Sequence, residues 1–378
     1  MTISLSLDQV RFLRLRAQWL TPQPSHGADS VARVVKAMCG IQAQDMHAAP
    51  LAVRVRSTGL LATEVEQARV QERSVIRTWG PRGTLHLLAT EDLGWLLPLL
   101  GPVFIAGDRR RREELGLDED TCARGIRVIR DVLANQGPLT RDELIGQLAI
   151  HGLHLEGQAR PHLLARAALE GIICLGPDHG AKPTYALLSD WVNRERRGQP
   201  LSQEEAPAEL ALRYLKAYGP ATPEDLAAWS GLPISKIRAA WQYIAPQLME
   251  VEAAGSSAWM LKTRAAWLDE PSLPPTPASI VHLLPGFDLY LLGYCTRDLV
   301  VRPQYAKRIN AGGGMLHPTL LVDGRALGTW KSKQSKNHLE VALEPFEPLA
   351  PELHAGLEAE VADIARFLET RARLRVMM

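Results

Sequence analysis

The sequence predicts a mainly α-helical protein of the α+β class, in which short β-hairpins follow groups of helices. The first observation behind this prediction is an internal repeat, because residues 126–148, "IRVIRDVLANQGPLTRDELIGQL", and residues 212–232, "LRYLKAYGPATPEDLAAWSGL", share one pattern. Each contains an amphipathic helix, a Gly-Pro stop, and a threonine followed by an acid, a combination typical of a helix N-terminus. Each copy therefore predicts two consecutive helices.

The second observation is that both copies continue in the same way. The sequence predicts a third helix and then two strands in both places, at residues 158–170, 172–175 and 184–187 after the first copy, and at residues 235–243, 248–252 and 258–261 after the second. Three helices and then a β-hairpin form the winged-helix pattern, and the chain carries it twice.

The N-terminal region has the same pattern more loosely. It predicts helices at 7–19, 30–38, 47–57 and 63–72, and then the hairpin "SVIRTWGPRGTLHLL" with a turn at Gly80 and Pro81. After a Pro/Ser linker at 269–279, "IVHLLPGFDLYLLGY" and "TLLVDGRALGTWK" are interpreted as strands of a small antiparallel sheet or barrel. The predicted domains are winged helices at 1–105, 106–200 and 201–268, a β-barrel at 276–346 and a C-terminal helix at 351–378.

Composition excludes several classes of protein. The 378 residues are 46% hydrophobic and 22% charged, and no apolar run approaches the roughly 20 residues that span a bilayer. Cys39, Cys122, Cys174 and Cys295 are far apart and show no metal-ligand spacing, so we expect reduced thiols in a cytosolic protein without zinc. No nucleotide-binding glycine loop or iron–sulfur motif is present, and no cofactor is expected.

Positive charge is concentrated in one segment although the net charge is only +1. Residues 297–336 contain eight basic and two acidic side chains. Such a segment could track a phosphate backbone, and it could equally be a solvated, lysine-rich sheet edge.

The stretch "MCGIQAQDMHAAP" at 38–50 holds two glutamines separated by one alanine. Gly40 suits the left-handed end of the preceding helix, and Asp45 suits the start of the next one. Residues 41–44 should then be extended, so that Gln42 and Gln44 point to the same side while Ile41 and Ala43 anchor the backbone. The pair is either a polar surface loop or part of a shared site.

Four segments in this order, "GIQAQD", "WGPRGTLHLL", "LPGFDLYLLGYCTRD" and "PTLLVDGRALGTWK", resemble the winged-helix DNA glycosylases of the AlkZ/YcaQ type. The resemblance implies three tandem winged helices, a C-terminal β-barrel, and excision of N7-alkylated purines, in some members from interstrand cross-links. The family signature is Gln, an apolar residue, and then Gln or Asp. Gln42-Ala43-Gln44 matches the Gln form, which is similar to the AlkZ branch.

This resemblance implies catalytic roles for Gln42 and Gln44. An N7-alkylated guanine already carries positive charge and leaves as a neutral base, so the enzyme has less of the barrier to remove. Gln44 would align a water molecule, and Gln42 would assist by electrostatics and orientation. Because neither carboxamide is a strong general base, such a pair would restrict the enzyme to labile cationic lesions.

The same segments supply further candidate residues. The candidates for DNA binding are Arg82, His86, Arg297, Arg302, Lys307, Arg308, Asn310, His317 and Lys331. Thr84, Asp288 and Tyr290 are candidates to line the site. Alternation places Arg82, Thr84 and His86 on one face of a strand, and likewise Asp288 and Tyr290, although a buried Asp–Arg pair is an equal alternative for Asp288. The glycine-rich "NAGGGML" is either a loop that probes a DNA groove or a linker.

The predicted function is a monofunctional DNA glycosylase that acts, as a monomer, on double-stranded DNA with alkylated purines. It would be cytoplasmic and nucleoid-associated. The alternative is a non-catalytic winged-helix protein, either a transcription regulator or a protein that sequesters lesions or drugs. The third helices, "ARPHLLARAALEG" and "SKIRAAWQYI", have few side chains suited to reading bases, which counts against a regulator.

Overall fold

A computed structural model describes residues 3–21, 30–253, 255–269, 279–312, 314–335 and 338–377. In this part of the chain the α-helices are α1 Leu7–Ala17, α2 Val31–Ala37, α3 Ala48–Arg54, α4 Ala62–Val70, α5 Leu93–Gly107, α6 Arg109–Glu114, α7 Glu119–Gln136, α8 Arg141–Ile150, α9 Ala159–Leu169, α10 Leu188–Trp191, α11 Glu205–Tyr218, α12 Pro223–Ser230, α13 Ile234–Ile244, α14 Leu289–Leu292, α15 Ala306–Ile309 and α16 His354–Phe367. No helix of these residues is long and apolar enough to cross a bilayer.

The strands of the same residues are β1 Ile3–Leu5, β2 Ile41–Gln42, β3 Val75–Trp79, β4 Leu85–Ala89, β5 Leu139–Thr140, β6 Ile173–His179, β7 Lys182–Leu187, β8 Leu248–Ala253, β9 Ser256–Leu261, β10 Val281–Leu284, β11 Asn310–Gly312, β12 Met315–Leu316, β13 Thr319–Val322, β14 Arg325–Ser335, β15 His338–Pro345 and β16 Arg371–Val376. This mixture confirms the predicted α+β class. Most of the predicted linker lies outside the described residues.

The chain divides into two compact units, residues 66–207 and residues 1–65 together with 208–378. This division does not test the predicted boundaries of the winged-helix modules, which stay predictions. In the first unit, strands lie in the order β4, β3, β6, β7, β5, and α7, α8 and α9 bury apolar side chains such as Ile129, Leu144 and Leu163. Thr140 caps α8 and forms a capping box with Glu143, as the repeat predicts.

The second copy of the repeat lies in the other unit and is capped in the same way. The Thr222 side chain accepts a hydrogen bond from the Asp225 amide at the start of α12. Strands β8 and β9 form an antiparallel hairpin, and β1 adds to β8 in parallel, so the N-terminal strand extends this hairpin to three strands. The N-terminal helix α1 packs Val10 and Leu13 on the same sheet, with Val251 and Met260.

The region predicted as a β-barrel is an open sheet of five strands in the order β10, β13, β14, β15, β16. Within the described residues β10 and β16 are the two edges and do not pair with each other. The turn at Asp323 and Gly324, where both residues have positive φ, joins β13 to β14 as predicted. Helix α16 packs Leu357, Val361 and Ile364 into the core of this sheet, and the helix closes its face.

The prediction of a helix to the C-terminus is wrong at its end. Helix α16 stops at Phe367, and residues 371–376 form β16, which pairs in parallel with β15. The sequence "RARLRV" explains the change, because it alternates arginine with apolar residues, and alternation suits a sheet rather than a helix. Ala372 and Leu374 pack on the sheet core while Arg373 and Arg375 are exposed.

Candidate functional site

The two glutamines come directly after a sharp turn at the end of α2. The helix ends at Ala37 with Met38 as its C-cap, and Cys39 and Gly40 both take positive φ values, 58° and 109°. The Gly40 amide donates to the Val35 carbonyl at 2.9 Å, which closes the helix end. Gly40 therefore has the predicted left-handed role, although the helix itself ends three residues earlier.

Beyond this turn Ile41 and Gln42 form the short strand β2, as predicted, whereas Gln44 lies in a bend and not in the extended segment expected over residues 41–44. Ile41 and Ala43 are buried, with 1% and 0% of their surface exposed, and they anchor the backbone. Gln42 is 8% exposed and Gln44 is exposed, and the Gln42 carboxamide Nε2 donates to Gln44 Oε1 at 3.0 Å. The two carboxamides therefore lie on the same side of the segment and orient each other.

Asp45 starts the next helix in a slightly different way from the prediction. Its carboxylate accepts from the His47 amide at 2.8 Å, and its carbonyl accepts from the Ala48 and Ala49 amides at 3.2 and 3.0 Å. The N-cap of α3 is His47, whose side chain makes no capping bond. The Gln42–Gln44 segment is thus held between a closed helix end and a hydrogen-bonded helix start.

Buried side chains at the other end of α3 form a polar cluster. The sequence analysis kept a buried Asp–Arg pair open for Asp288 but did not identify Arg56 as its partner. Arg56 and Asp288 are both 0% exposed and make two hydrogen bonds of 2.8 Å with each other. Arg56 also donates to Gln18 Oε1 at 2.9 Å, and Gln18 donates to the Tyr294 hydroxyl at 3.5 Å. The visible signal was two arginines, Arg54 and Arg56, in the otherwise apolar "LAVRVRS".

Asp288 and Tyr290 do not line an accessible site, so that expectation is wrong. They do not alternate along a strand, because Asp288 is the N-cap of α14 and accepts from the Tyr290 amide at 2.8 Å. Tyr290 is itself fully buried. The alternative of a buried Asp–Arg pair is confirmed, with Arg56 as the partner.

The hairpin residues also depart from the predicted geometry, in the unit formed by residues 66–207. Arg82 lies in a short 3-10 turn with φ of 57°, not on the strand that carries His86. His86 is 1% exposed, its Nδ1 bonds to the Thr84 carbonyl, and burial lowers its pKa to about 3. A buried neutral imidazole cannot act as a cation toward phosphate, so His86 does not suit direct DNA binding. Thr84 is partly buried beside it.

The basic segment at residues 297–336 contains some cations that form ion pairs with carboxylates and others that make different contacts. Arg302 and Lys331 are exposed and bind Glu347 and Glu344 at 2.9 and 3.0 Å. Arg308 stacks its guanidinium over the Phe346 ring, 4.6 Å from the centroid.

Arg297 and Lys307 line a cavity of about 330 Å³ together with Asn310 and neighbouring residues. Arg297 Nε donates to the Leu291 carbonyl at 2.8 Å, and burial lowers the pKa of this arginine. In the part of the chain that the structure describes, neither Arg297 nor Lys307 forms an ion pair with a carboxylate. The exposed Asp298 also lines this cavity, so its surface carries two cations and one carboxylate.

The glycine-rich stretch next to this cavity is a small hairpin of β11 and β12. Asn310 Oδ1 accepts from the Gly312 amide at 3.2 Å, and the His317 amide donates to the Ile309 carbonyl at 2.9 Å. Met315 is half exposed on the second strand. The described residues of this stretch therefore form paired strands and not an unstructured linker.

The residues that the structure describes contain no cluster of histidine, cysteine, aspartate and glutamate that could hold a metal ion. The Gln42–Gln44 segment itself offers neutral hydrogen bonding and carbonyl dipoles. Two carboxamides can orient a water and stabilise a nearby positive charge, but they cannot accept a proton at neutral pH.

Comparison with known proteins identifies the family of this chain. Residues 35–367 match the family model described as "DNA glycosylase AlkZ-like". An "Interstrand DNA cross-link repair glycosylase" of Streptomyces sahachiroi is 30% identical over 373 residues, 96% of each chain. The solved structure of "Streptomyces sahachiroi DNA glycosylase AlkZ" superposes with a TM-score of 0.83 at 28% identity, covering 99% of this chain and 100% of that one. The chain belongs to the AlkZ-like DNA glycosylase family.

Proposed function

We propose that this protein hydrolyses the N-glycosidic bond of N7-alkylated purines in double-stranded DNA, including bulky adducts and interstrand cross-links. The observation that carries the proposal is the hydrogen bond from the Gln42 carboxamide to Gln44 Oε1, which joins a buried and an exposed carboxamide on one side of the chain. The name of the Streptomyces sahachiroi relative supports the extension to cross-links.

The charge of the lesion makes neutral amides sufficient for this reaction. In an N7-alkylguanine the imidazole ring is cationic, so the electrons of the breaking C1′–N9 bond neutralise it and the base leaves uncharged. The oxygen of a water molecule bonds to C1′, and the proton it loses passes to solvent because neither carboxamide accepts it. The products are a neutral N7-alkylguanine, an abasic deoxyribose and a proton.

In the proposed mechanism, Gln44 orients the attacking water and Gln42 fixes the carboxamide of Gln44 through their hydrogen bond. Carboxamide oxygens beside the sugar also stabilise the positive charge that develops on C1′ in the transition state. This arrangement would not excise unmodified purines, since an ordinary base needs protonation to leave and no acid is part of the pair.

We propose that Arg297 and Lys307 contact the DNA backbone before the other basic residues of their segment. They line the cavity, whereas Arg302 and Lys331 would first have to break their ion pairs with Glu347 and Glu344. Lys307→Gln should weaken binding to DNA of any sequence and lower the salt dependence by about one counterion. Lys331→Gln is the matched control and should change binding less; an equal effect would argue against this cavity.

The decisive experiment incubates the protein with a duplex that carries a single N7-methylguanine. We expect free N7-methylguanine and strand breaks that appear only after alkali, because a monofunctional glycosylase leaves an intact abasic strand. Breaks without alkali would overturn the monofunctional assignment. Binding without base release would instead support a transcription regulator or a sequestering protein. An enzyme of this kind would work as a monomer on the nucleoid in the cytoplasm, which sedimentation and imaging can test.

A further inference from the structure

The turn before the two glutamines depends on residues that are distant in sequence. Cys39 takes a left-handed conformation with φ of 58°, which is rare for a residue with a Cβ atom and persists only where the surroundings hold it. The same turn sets the direction in which the chain leaves α2 toward Gln42. Whatever holds the turn therefore also determines where the carboxamides point.

Tyr218, the last residue of α11, makes a long-range contact to this turn. Its hydroxyl donates to the Met38 carbonyl at 3.1 Å, and the side chain is fully buried. The Tyr218 carbonyl in turn accepts from the Tyr294 hydroxyl at 2.9 Å, and the two rings meet edge to face. Both the side-chain hydroxyl and the main-chain carbonyl of Tyr218 are thus held by hydrogen bonds. Burial raises its pKa, so the hydroxyl stays a donor at neutral pH.

We propose that Tyr218 is a positioning residue for the reaction, which holds the Gln42–Gln44 carboxamides in place through the main chain at Met38. The inference rests on the proposed function. Without the hydroxyl, the Met38 carbonyl loses a buried donor and the turn at Cys39 loses one of the contacts that restrain it, so the carboxamides sample other directions. Because the rate depends steeply on the alignment of the attacking group, a small displacement is enough to slow base release.

The chain provides a matched control in Tyr214, one turn earlier on the same helix. The two rings stack at 4.8 Å, Tyr214 is also fully buried, and its hydroxyl donates to the Gly293 carbonyl at 2.7 Å. Removing either hydroxyl leaves one buried carbonyl without its donor and keeps the aromatic packing. Only the Tyr218 hydroxyl reaches the turn that leads to the glutamines.

The experiment compares Tyr218→Phe and Tyr214→Phe by single-turnover release of N7-methylguanine, duplex affinity and thermal unfolding. We expect Tyr218→Phe to lower the rate about ten- to a hundredfold with the Kd for DNA unchanged, and Tyr214→Phe to leave the rate within about twofold. Both variants should lower the melting temperature by similar amounts. Equal rates for the two variants would overturn the proposal, as would a rate loss that parallels the melting temperature.

A second measurement separates this inference from the proposed function. Side-chain amide signals of protein labelled with 15N-glutamine can be assigned by comparison with Gln42→Ala and Gln44→Ala. Tyr218→Phe should shift or broaden both signals, and Tyr214→Phe should not. If the wild type releases no base, the proposed function fails while this readout still tests the positioning role. Unmoved signals in Tyr218→Phe refute that role whatever the activity.

Discussion

Helix α3 separates two regions with opposite chemistry. Before its start, Gln42 and Gln44 bring neutral carboxamides together. At its other end, Arg54 and Arg56 are buried and bind carboxylates, Arg54 to Glu360 and Asp363 at 3.0 Å each and Arg56 to Asp288. Formal charge in this part of the molecule therefore serves packing and orientation. The two glutamines that are proposed to act in the reaction carry no formal charge, which suits the cationic lesion proposed as the substrate.

The largest expected effect concerns the buried pair. Asp288→Ala should lower the free energy of unfolding by about 3 to 5 kcal/mol, because it leaves the Arg56 guanidinium buried without a counter-ion. Urea denaturation measures this loss. The double variant Arg56→Met with Asp288→Leu removes both charges and should be more stable than Asp288→Ala. If the single variant unfolds at the wild-type midpoint, the buried charges are not coupled as the structure indicates.

The glutamines should show the reverse behaviour. Gln42→Ala and Gln44→Ala should each reduce release of N7-methylguanine by about a hundredfold or more, since each removes an oriented carboxamide near the reacting sugar. Gln44→Ala should change the stability by less than about 1 kcal/mol because Gln44 is exposed. Gln42→Ala should lower it by about 0.5 to 1.5 kcal/mol because Gln42 is only 8% exposed and its carboxamide is hydrogen-bonded. Gln304→Ala removes an exposed glutamine elsewhere and is the control. Full activity in the double variant would end the proposed mechanism.

Acid should weaken the Arg54 cluster and leave the carboxamides unaffected. Burial opposes ionisation of Glu360, but Arg54 and His282 outweigh it and lower the pKa from 4.5 to about 2. A carboxyl with a lowered folded-state pKa adds stability above its unfolded pKa, and this stability disappears as the pH falls from about 5 to 2. The contribution at neutral pH is of the order of 3 kcal/mol.

Unfolding curves of Glu360→Gln between pH 7 and pH 2 test this contribution. The variant should be less stable at pH 7 and should lose less stability on acidification than the wild type. Glu347→Gln, which removes the exposed partner of Arg302, is the control and should keep the wild-type slope. A wild-type slope in Glu360→Gln would contradict the prediction.

The smallest effect should come from Arg373 on β16, an arginine whose side chain is exposed to solvent. Arg373 pairs with Glu340 at 2.8 Å, but its side chain is 67% exposed. Arg373→Gln should lower the free energy of unfolding by at most about 1 kcal/mol, and less at high salt, because solvent screens such pairs. A loss as large as that of Asp288→Ala would remove the distinction between the buried and exposed arginines.

The elements predicted best from the sequence are those with strong local signals. Thr140 and Thr222 cap the helices they were expected to cap, and Gly40 takes the positive φ expected at the end of the helix before it. The turn at Asp323 and Gly324 is likewise local. These features can be predicted from the sequence because caps and turns use mainly neighbouring backbone groups.

The misassigned residues depended on partners distant in the chain. Asp288 was a candidate to line the site from a strand, but it pairs with Arg56, which is 232 positions away in the chain. His86 was predicted to contact DNA, but the fold buries it. Residues 371–376 were predicted to be helical, but they pair with β15 as a strand. Burial and long-range pairing are properties of the assembled core, so alternation alone could not distinguish a buried face from an open one.

The sequence by itself determined the class of the fold, the capped helices of the repeat and the positive-φ glycine that precedes the Gln-Ala-Gln segment, because period, caps and a single glycine are local. Only the tertiary structure decided which charges are structural, since an arginine becomes an internal anchor when a remote carboxylate is brought into the same core. It also brought Tyr218 against the Met38 carbonyl across 180 positions, a contact that no local pattern encodes.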